Sequence, residues 1–237
     1  MKKEEVCALI GEIGIIPAIR VSSGDDAHFA AEAVTRGGIP IVEITMTVPG
    51  ALELISHLVK FHPTMIVGAG TVLDTDTARR CVDAGVSFLT ATGFDREMVD
   101  FAAKQAMTIL PGALTPTEVI TAWKAGADFV KVFPCAQVGG DSYIKALHTS
   151  LPHIRLIAAG GVKQQNAANF ILAGAAAIGV GAELIPTEAI ERRQPERIRE
   201  LALRFRGFVK EGRDRVAAWK QTAVAHGYEG SDKCEKP

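Results

Sequence analysis

Two charged residues stand inside runs of sequence that otherwise read as buried strand. In PIVEIT, residues 40–45, side chains alternate between faces. Ile41, Glu43 and Thr45 share one face; Val42 and Ile44 share the other. In DFVKVF, residues 128–133, Phe129, Lys131 and Phe133 lie together, opposite Val130 and Val132. The Val/Ile sets suit a layer of covering helices, which turns Glu43 and Lys131 toward the enclosed side. Removal from water there disfavours the ammonium form of a lysine and supplies free amine, a nucleophile toward ketones. A neighbouring carboxylate supplies the proton shuttle that imine chemistry needs. The competing account is a structural Lys131–Glu43 ion pair, or a lysine reaching from a strand end to solvent. On the residues alone the two accounts weigh evenly, because buried pairs are expensive and cluster at functional sites.

A second cluster is glycine. IAAGGV closes one strand with Gly160 and Gly161, and AIGVGAE closes the next with Gly179 and Gly181. Backbone N–H groups in such loops cradle anions, and loops after the last two strands of an α/β barrel are a common phosphate site. Tight turns that simply need glycine are the alternative. Arg20 ends the first strand candidate in IPAIR, as a candidate bidentate partner for a carboxylate or a plain surface arginine. Thr71 follows two glycines in VGAGTV, which are read as allowing close substrate approach; its hydroxyl binds a keto-acid carboxylate or caps the next helix.

The elements that must position these groups follow from the pattern. Strand candidates are IGIIPAI, PIVEIT, MIVGAG, VSFLTA, MTILPG, DFVKVF, IRLIAA and AAIGVG, with amphipathic stretches such as DDAHFAAEAVTRG and PGALELISHLVKFH between them. Eight strand–helix units joined by short loops predict a (β/α)8 TIM barrel, with an open doubly wound sheet as the rival. Gly38, Gly85, Gly126 and Gly174 recur between a helix end and a strand at every second unit, which favours the barrel. Ser23, Asp74, Thr115 with Pro116, and Pro49 are read as caps or first-turn prolines. MKKEEVCALIGEIG is read as an N-terminal helix rather than a signal peptide. Past Pro186 the chain turns to charged helix that covers the barrel. The expected division is a barrel over residues 1–210 and a helical extension with a polar tail over 211–237, with no second domain.

Composition narrows the function. The 237 residues carry 26 Lys+Arg against 27 Asp+Glu, a net charge of -1, which leaves no footprint for nucleic acid. Nothing is long and apolar enough to span a bilayer. Cys7, Cys81, Cys135 and Cys234 show no paired spacing and read as free thiols of a reducing, cytoplasmic compartment. The six histidines are isolated from one another and from cysteine along the chain, so no metal site is expected.

The segments GGIPIVEITMTVPGAL, VGAGTVL, LPGALTPTE, AGADFVKVFP and AGGV resemble the 2-keto-3-deoxy-6-phosphogluconate (KDPG) and 4-hydroxy-2-oxoglutarate (KHG) aldolase family, over roughly residues 10 to 210. The resemblance implies a class I lyase, without metal or organic cofactor, assembled as a homotrimer around a small 2-keto acid substrate. It makes Lys131 the Schiff-base lysine and Glu43 the general acid/base, with Thr71 and Phe133 lining a pyruvate pocket and Gly160, Gly161 and Gly181 at a phosphate. The chain departs from the family at four places. Thr47 stands where many members carry a carboxylate-binding arginine. The related 2-keto-3-deoxy-6-phosphogalactonate aldolases lack that arginine too and have one at the end of strand one, which Arg20 resembles. Ala91-Thr92-Gly93 replaces a Ser-Pro-Gly, putting Thr92 at the site. Ala159 and Ala182 replace hydroxyl residues at the phosphate loops. The favoured substrate is KDPG. The alternatives are KHG or the galactonate epimer, a binding protein without turnover, and a phosphate-binding isomerase with Glu43 as base.

Overall fold

A computed structural model of the chain describes residues 1–225; the rest of the polar tail, 226–237, lies outside the described residues. After helix α1 (Lys3–Ile13) come β1 (Ile15–Ile19), α2 (Gly24–Arg36), β2 (Ile41–Thr45), α3 (Ala51–Phe61), β3 (Ile66–Gly70), α4 (Thr75–Asp83), β4 (Phe88–Thr90) and α5 (Arg96–Lys104). The second half runs β5 (Thr108–Leu110), β6 (Gly112–Ala113), α6 (Pro116–Lys124), β7 (Val130–Val132), α7 (Asp141–Ser150), β8 (Leu156–Ala159), α8 (Ala167–Leu172), β9 (Ala177–Val180), α9 (Thr187–Glu191) and α10 (Pro195–Ala225). Each strand falls within one of the eight candidate segments, except that β6 runs one residue past MTILPG to Ala113. The parallel strands are ordered β5-β4-β3-β2-β1-β9-β8-β7-β6. The two terminal strands, β5 and β6, are halves of one barrel strand divided at Pro111, which has no N–H to give. The sheet thereby curls into a nearly closed barrel of eight βα units, and the open-sheet alternative falls.

The alternation expected of β2 and β7 decides which residues meet the helices. Val42, Ile44, Val130 and Val132 belong to the large core between barrel and helices. Inside the barrel sits a separate apolar layer of Ile16, Ile41, Ile66, Phe88, Leu110, Phe129, Ile157 and Ala177, one side chain from each barrel strand or its immediate start. Helix α1 closes the end beneath it with Val6, Cys7 and Ile10. The plug is pinned by a Lys3–Asp128 ion pair at 2.9 Å, while Asp128 also accepts from the backbone N–H of Ile109.

Local signals act largely as read. Ser23, Asp74 and Thr115 each cap a helix by accepting from the backbone N–H three residues on, and Thr115 forms a capping box with Glu118. Gly38, Gly85, Gly126 and Gly174 adopt left-handed φ values of 82–105°. The assignment of Pro49 needs correction: Gly50, at φ 69°, is the residue that caps α3, and Pro49 lies before it. Helix α10 runs without a break through residue 210, where the barrel was expected to end. Beyond it, Gly212 lets α10 close on α8, since a Cβ there would sit 2.7 Å from the Ala168 carbonyl, and Arg213 donates to the carbonyls of Gly11 and Glu12.

A second correction concerns histidine. His28 on α2 meets His57 on α3 and His62 at its end, because adjacent βα units lay their helices side by side. Isolation along the chain is not isolation in space.

Candidate active site

The end of the barrel opposite α1 is open. A cavity of about 660 Å³ descends from the strands' C-terminal ends to Ile16, Leu110 and Ile157 of the interior layer. Active sites of such barrels lie at this end. One turn of alternation above Ile41 and Phe129 come Glu43 and Lys131, 3 % and 9 % exposed, with Lys131 Nζ 3.8 Å from Glu43 Oε1. The gap is longer than a direct hydrogen bond, so the two charges attract without saturating each other. Lys131 Nζ also donates to Thr90 Oγ1 at 3.5 Å and stands 5.7 Å from the Phe133 ring centroid. Thr90 is buried and faces the mouth because it alternates with the interior Phe88.

Neighbouring glycines make this arrangement possible. A Cβ on Gly70 would lie 2.0 Å from Glu43 Oε1, and one on Gly68 would lie 2.2 Å from the Phe88 ring. The two glycines before Thr71 therefore clear space for side chains of β2 and β4, a correction to their reading as room for substrate. Thr71, at φ 58°, accepts from Arg20 Nη2 at 3.2 Å. Thr47 meets Thr45 Oγ1 at 2.8 Å. Because Thr45 spends its own hydrogen on the Ile19 carbonyl at 3.0 Å, Thr47 must be the donor, and it ties the top of β2 to β1. Thr47 and Thr71 are not among the residues that line the cavity, whereas Arg20, Thr92, Phe133, Gly160, Gly161, Gly181 and Ala182 line it with Glu43 and Lys131.

At the distal rim the glycines divide. Gly160 and Gly161 have φ 81° and 89°, and their Cβ atoms would strike Pro134 at 2.8 Å and Ala136 at 2.2 Å. Their identity is fixed by backbone conformation and close packing alone. A Cβ on Gly181 would make only ordinary contact, 3.8 Å from the Ala18 carbonyl, so neither demand applies there. The rim also carries groups the sequence did not single out: Ser22, Lys163, Glu183, Thr187 and Glu191. Lys163 and Glu183 each come two residues after a rim glycine, a position that would have flagged them. Asp26 at the same rim is neutralised by Arg193 at 3.0 Å. Cys135 lies beneath, where burial pushes its thiol up to about 11, so it stays protonated and supplies no thiolate.

A nearly closed parallel barrel with a lysine and a carboxylate facing each other in a cavity at the C-terminal ends of its strands defines a class, the α/β-barrel enzymes. The family model for KDPG and KHG aldolase matches residues 6–201. The chain is 31% identical over 205 residues to a 2-dehydro-3-deoxy-phosphogluconate aldolase of Pseudomonas aeruginosa, covering 85% of this chain and 93% of that one. It is 33% identical over 184 residues to the 2-dehydro-3-deoxy-6-phosphogalactonate aldolase of Escherichia coli, covering 76% and 89%. Among solved structures, KDPG aldolase from Legionella pneumophila, with pyruvate captured as a covalent carbinolamine, superposes with a TM-score of 0.78 at 29% identity, covering 83% of this chain and 96% of that one. The chain belongs to the KDPG and KHG aldolase family, and it is an aldolase, a lyase.

Proposed function

We propose that the protein is a class I aldolase that cleaves a 2-keto-3-deoxy acid, preferably 2-keto-3-deoxy-6-phosphogluconate, into pyruvate and glyceraldehyde 3-phosphate. The observation that carries this is the Lys131–Glu43 pair, held 3.8 Å apart in an enclosed mouth. The carbinolamine of pyruvate in the Legionella relative supports the covalent step.

The amine of Lys131 attacks the C2 ketone to give a carbinolamine, and loss of water leaves a protonated imine. The Glu43 carboxylate takes the proton of the C4 hydroxyl, directly or through water. The C3–C4 bond breaks, its electron pair entering the iminium to form an enamine, and C4 departs as an aldehyde. Protonated Glu43 returns its proton to C3, and water releases pyruvate and the free amine. No metal or organic cofactor takes part in this sequence. Arg20 suits the substrate carboxylate, in place of the arginine missing at Thr47. Lys163 and the backbone at Gly160, Gly161 and Gly181 suit a distal phosphate, with Thr92 on the wall between. The same reading holds the enzyme to be a cytoplasmic homotrimer.

Borohydride reduction in the presence of pyruvate, followed by peptide mass mapping, tests it: the adduct should fall on Lys131 alone and vanish in Lys131→Ala. An adduct on another lysine refutes the assignment. Pyruvate release from KDPG, its galactonate epimer and KHG, coupled to lactate dehydrogenase, ranks the substrates. Absence of turnover with all three would favour a binding protein.

A further inference from the structure

Away from the mouth, on the outer helical layer, His28, His57 and His62 converge. Their ring centroids are 5.3 Å (28–57), 5.5 Å (28–62) and 6.4 Å (57–62) apart, and one ligand nitrogen from each lies within 4.8 Å of the other two. Edge-to-face ring contact accounts for part of this proximity, and His57 also stacks near Phe61 at 4.7 Å. It does not account for His28 Nε2, which is shut off from solvent and has no hydrogen-bond partner among the described residues. A buried ring nitrogen left unpaired loses its hydration without compensation.

We propose that His28, His57 and His62 form a binding site for a late first-row divalent cation, the class of zinc, nickel and copper(II), with solvent completing the coordination. Neutral imidazole suits these ions, whereas magnesium and calcium select oxygen ligands. At metal–nitrogen distances of about 2.0–2.1 Å, a tetrahedral ion holds its nitrogens about 3.3 Å apart. The rings must therefore close by up to roughly 1.5 Å, within reach of side-chain rotation. His57 is exposed and His62 follows the last residue of α3, so both can turn toward the half-buried His28. The ion bridges α2 to the end of α3, joining the two βα units whose strands carry Arg20 and Glu43 at their mouth ends. None of the three histidines lines the mouth, so the site is independent of the aldol chemistry. Because the site exists only when these helices are docked, the ion stabilises the folded state by mass action.

Tag-free, chelator-stripped full-length protein is titrated with Zn²⁺ in competition with a chromophoric chelator. The expected result is one saturable equivalent per chain at micromolar affinity or tighter, with a Co²⁺ form showing the intense visible bands of low coordination number. Exposed His57 is the safe position to remove: His57→Ala and His62→Ala should each weaken Zn²⁺ at least tenfold, and His153→Ala, outside the cluster, should leave it unchanged. Wild-type Tm should rise with Zn²⁺ and that of His57→Ala should not. Absence of a saturable equivalent in the wild type, or unchanged affinity in both His57→Ala and His62→Ala, overturns the proposal.

Discussion

The two ends of this barrel are built from the same strands and the same alternation, yet one is sealed and the other is open. At the sealed end, Ile41 and Phe129 meet Val6, Cys7 and Ile10 of α1 in a dry layer. Two residues further along the same strands, the same inward direction carries Glu43 and Lys131. Facing inward is therefore not what makes a position chemical. Height along the strand is: below, every inward group has an apolar neighbour, and above, the barrel has run out of plug and the mouth admits solvent and substrate. Of the two ion pairs, Lys131–Glu43 at the mouth is the more deeply enclosed, while Lys3–Asp128 at the sealed end keeps more contact with solvent.

The comparison breaks first at the proposed nucleophile. Lys131→Ala should lower turnover by a factor on the order of 10⁴ or more, as loss of a covalent nucleophile does elsewhere. Lys131→Met, which keeps the volume, should be as inactive while leaving thermal unfolding near wild type, since the layer beneath is untouched. Residual turnover within a hundredfold of wild type would mean that the amine is not the nucleophile. Two residues lower on the same strand segment, Phe129→Ala should do the opposite. Emptying that fully buried ring from the plug layer should cost about 3–5 kcal/mol in chemical denaturation. The fraction still folded should retain near-normal kcat. Glu43→Gln is the milder partner of the lysine change: kcat should fall about 10²–10⁴-fold, the usual range for a general acid–base group. Borohydride trapping of pyruvate should persist, because the amine remains.

Much of this contrast was legible in the chain. Short β-branched runs marked all eight strand positions, and the alternation within PIVEIT and DFVKVF put Glu43 and Lys131 on the enclosed face. What the pattern could not carry is where the chain turns after a strand ends. Thr47 and Thr71 lie just past β2 and β3, so strand alternation no longer governs them, and local turns take their hydroxyls to Thr45 and Arg20. Rim loops have no periodicity, so the one signal that Lys163 and Glu183 carry is their spacing of two residues from a rim glycine. The His28–His57–His62 group was invisible for another reason: it depends on two helices lying in adjacent units at matching heights, which spacing along one chain does not encode. Glycine was ambiguous throughout, since Gly70 makes room for a carboxylate and Gly161 for Ala136, neither of them for a ligand.

The outer rim of the mouth sharpens the comparison at smaller scale, because it relies on charge and backbone rather than on enclosed side chains. Arg20 is exposed and held by a single bond to Thr71, so Arg20→Ala should act on binding: KM for a 2-keto acid should rise about ten- to a hundredfold, the loss expected for one charge-assisted hydrogen bond or pair, with kcat within a fewfold of wild type. The smallest effect is a gain. Ala182 lines the rim next to Gly181 and is exposed, so a side-chain oxygen there faces open space. Ala182→Ser adds one donor there, worth about 0.5–1.5 kcal/mol if it meets a phosphate oxygen. KM for the 6-phosphorylated acid should then fall by two- to tenfold while KM for the unphosphorylated acid stays fixed. Equal changes for both substrates would detach the rim from phosphate recognition. They would then point to the Glu183 and Glu191 carboxylates, which line the same rim, as the groups that set what the distal end accepts.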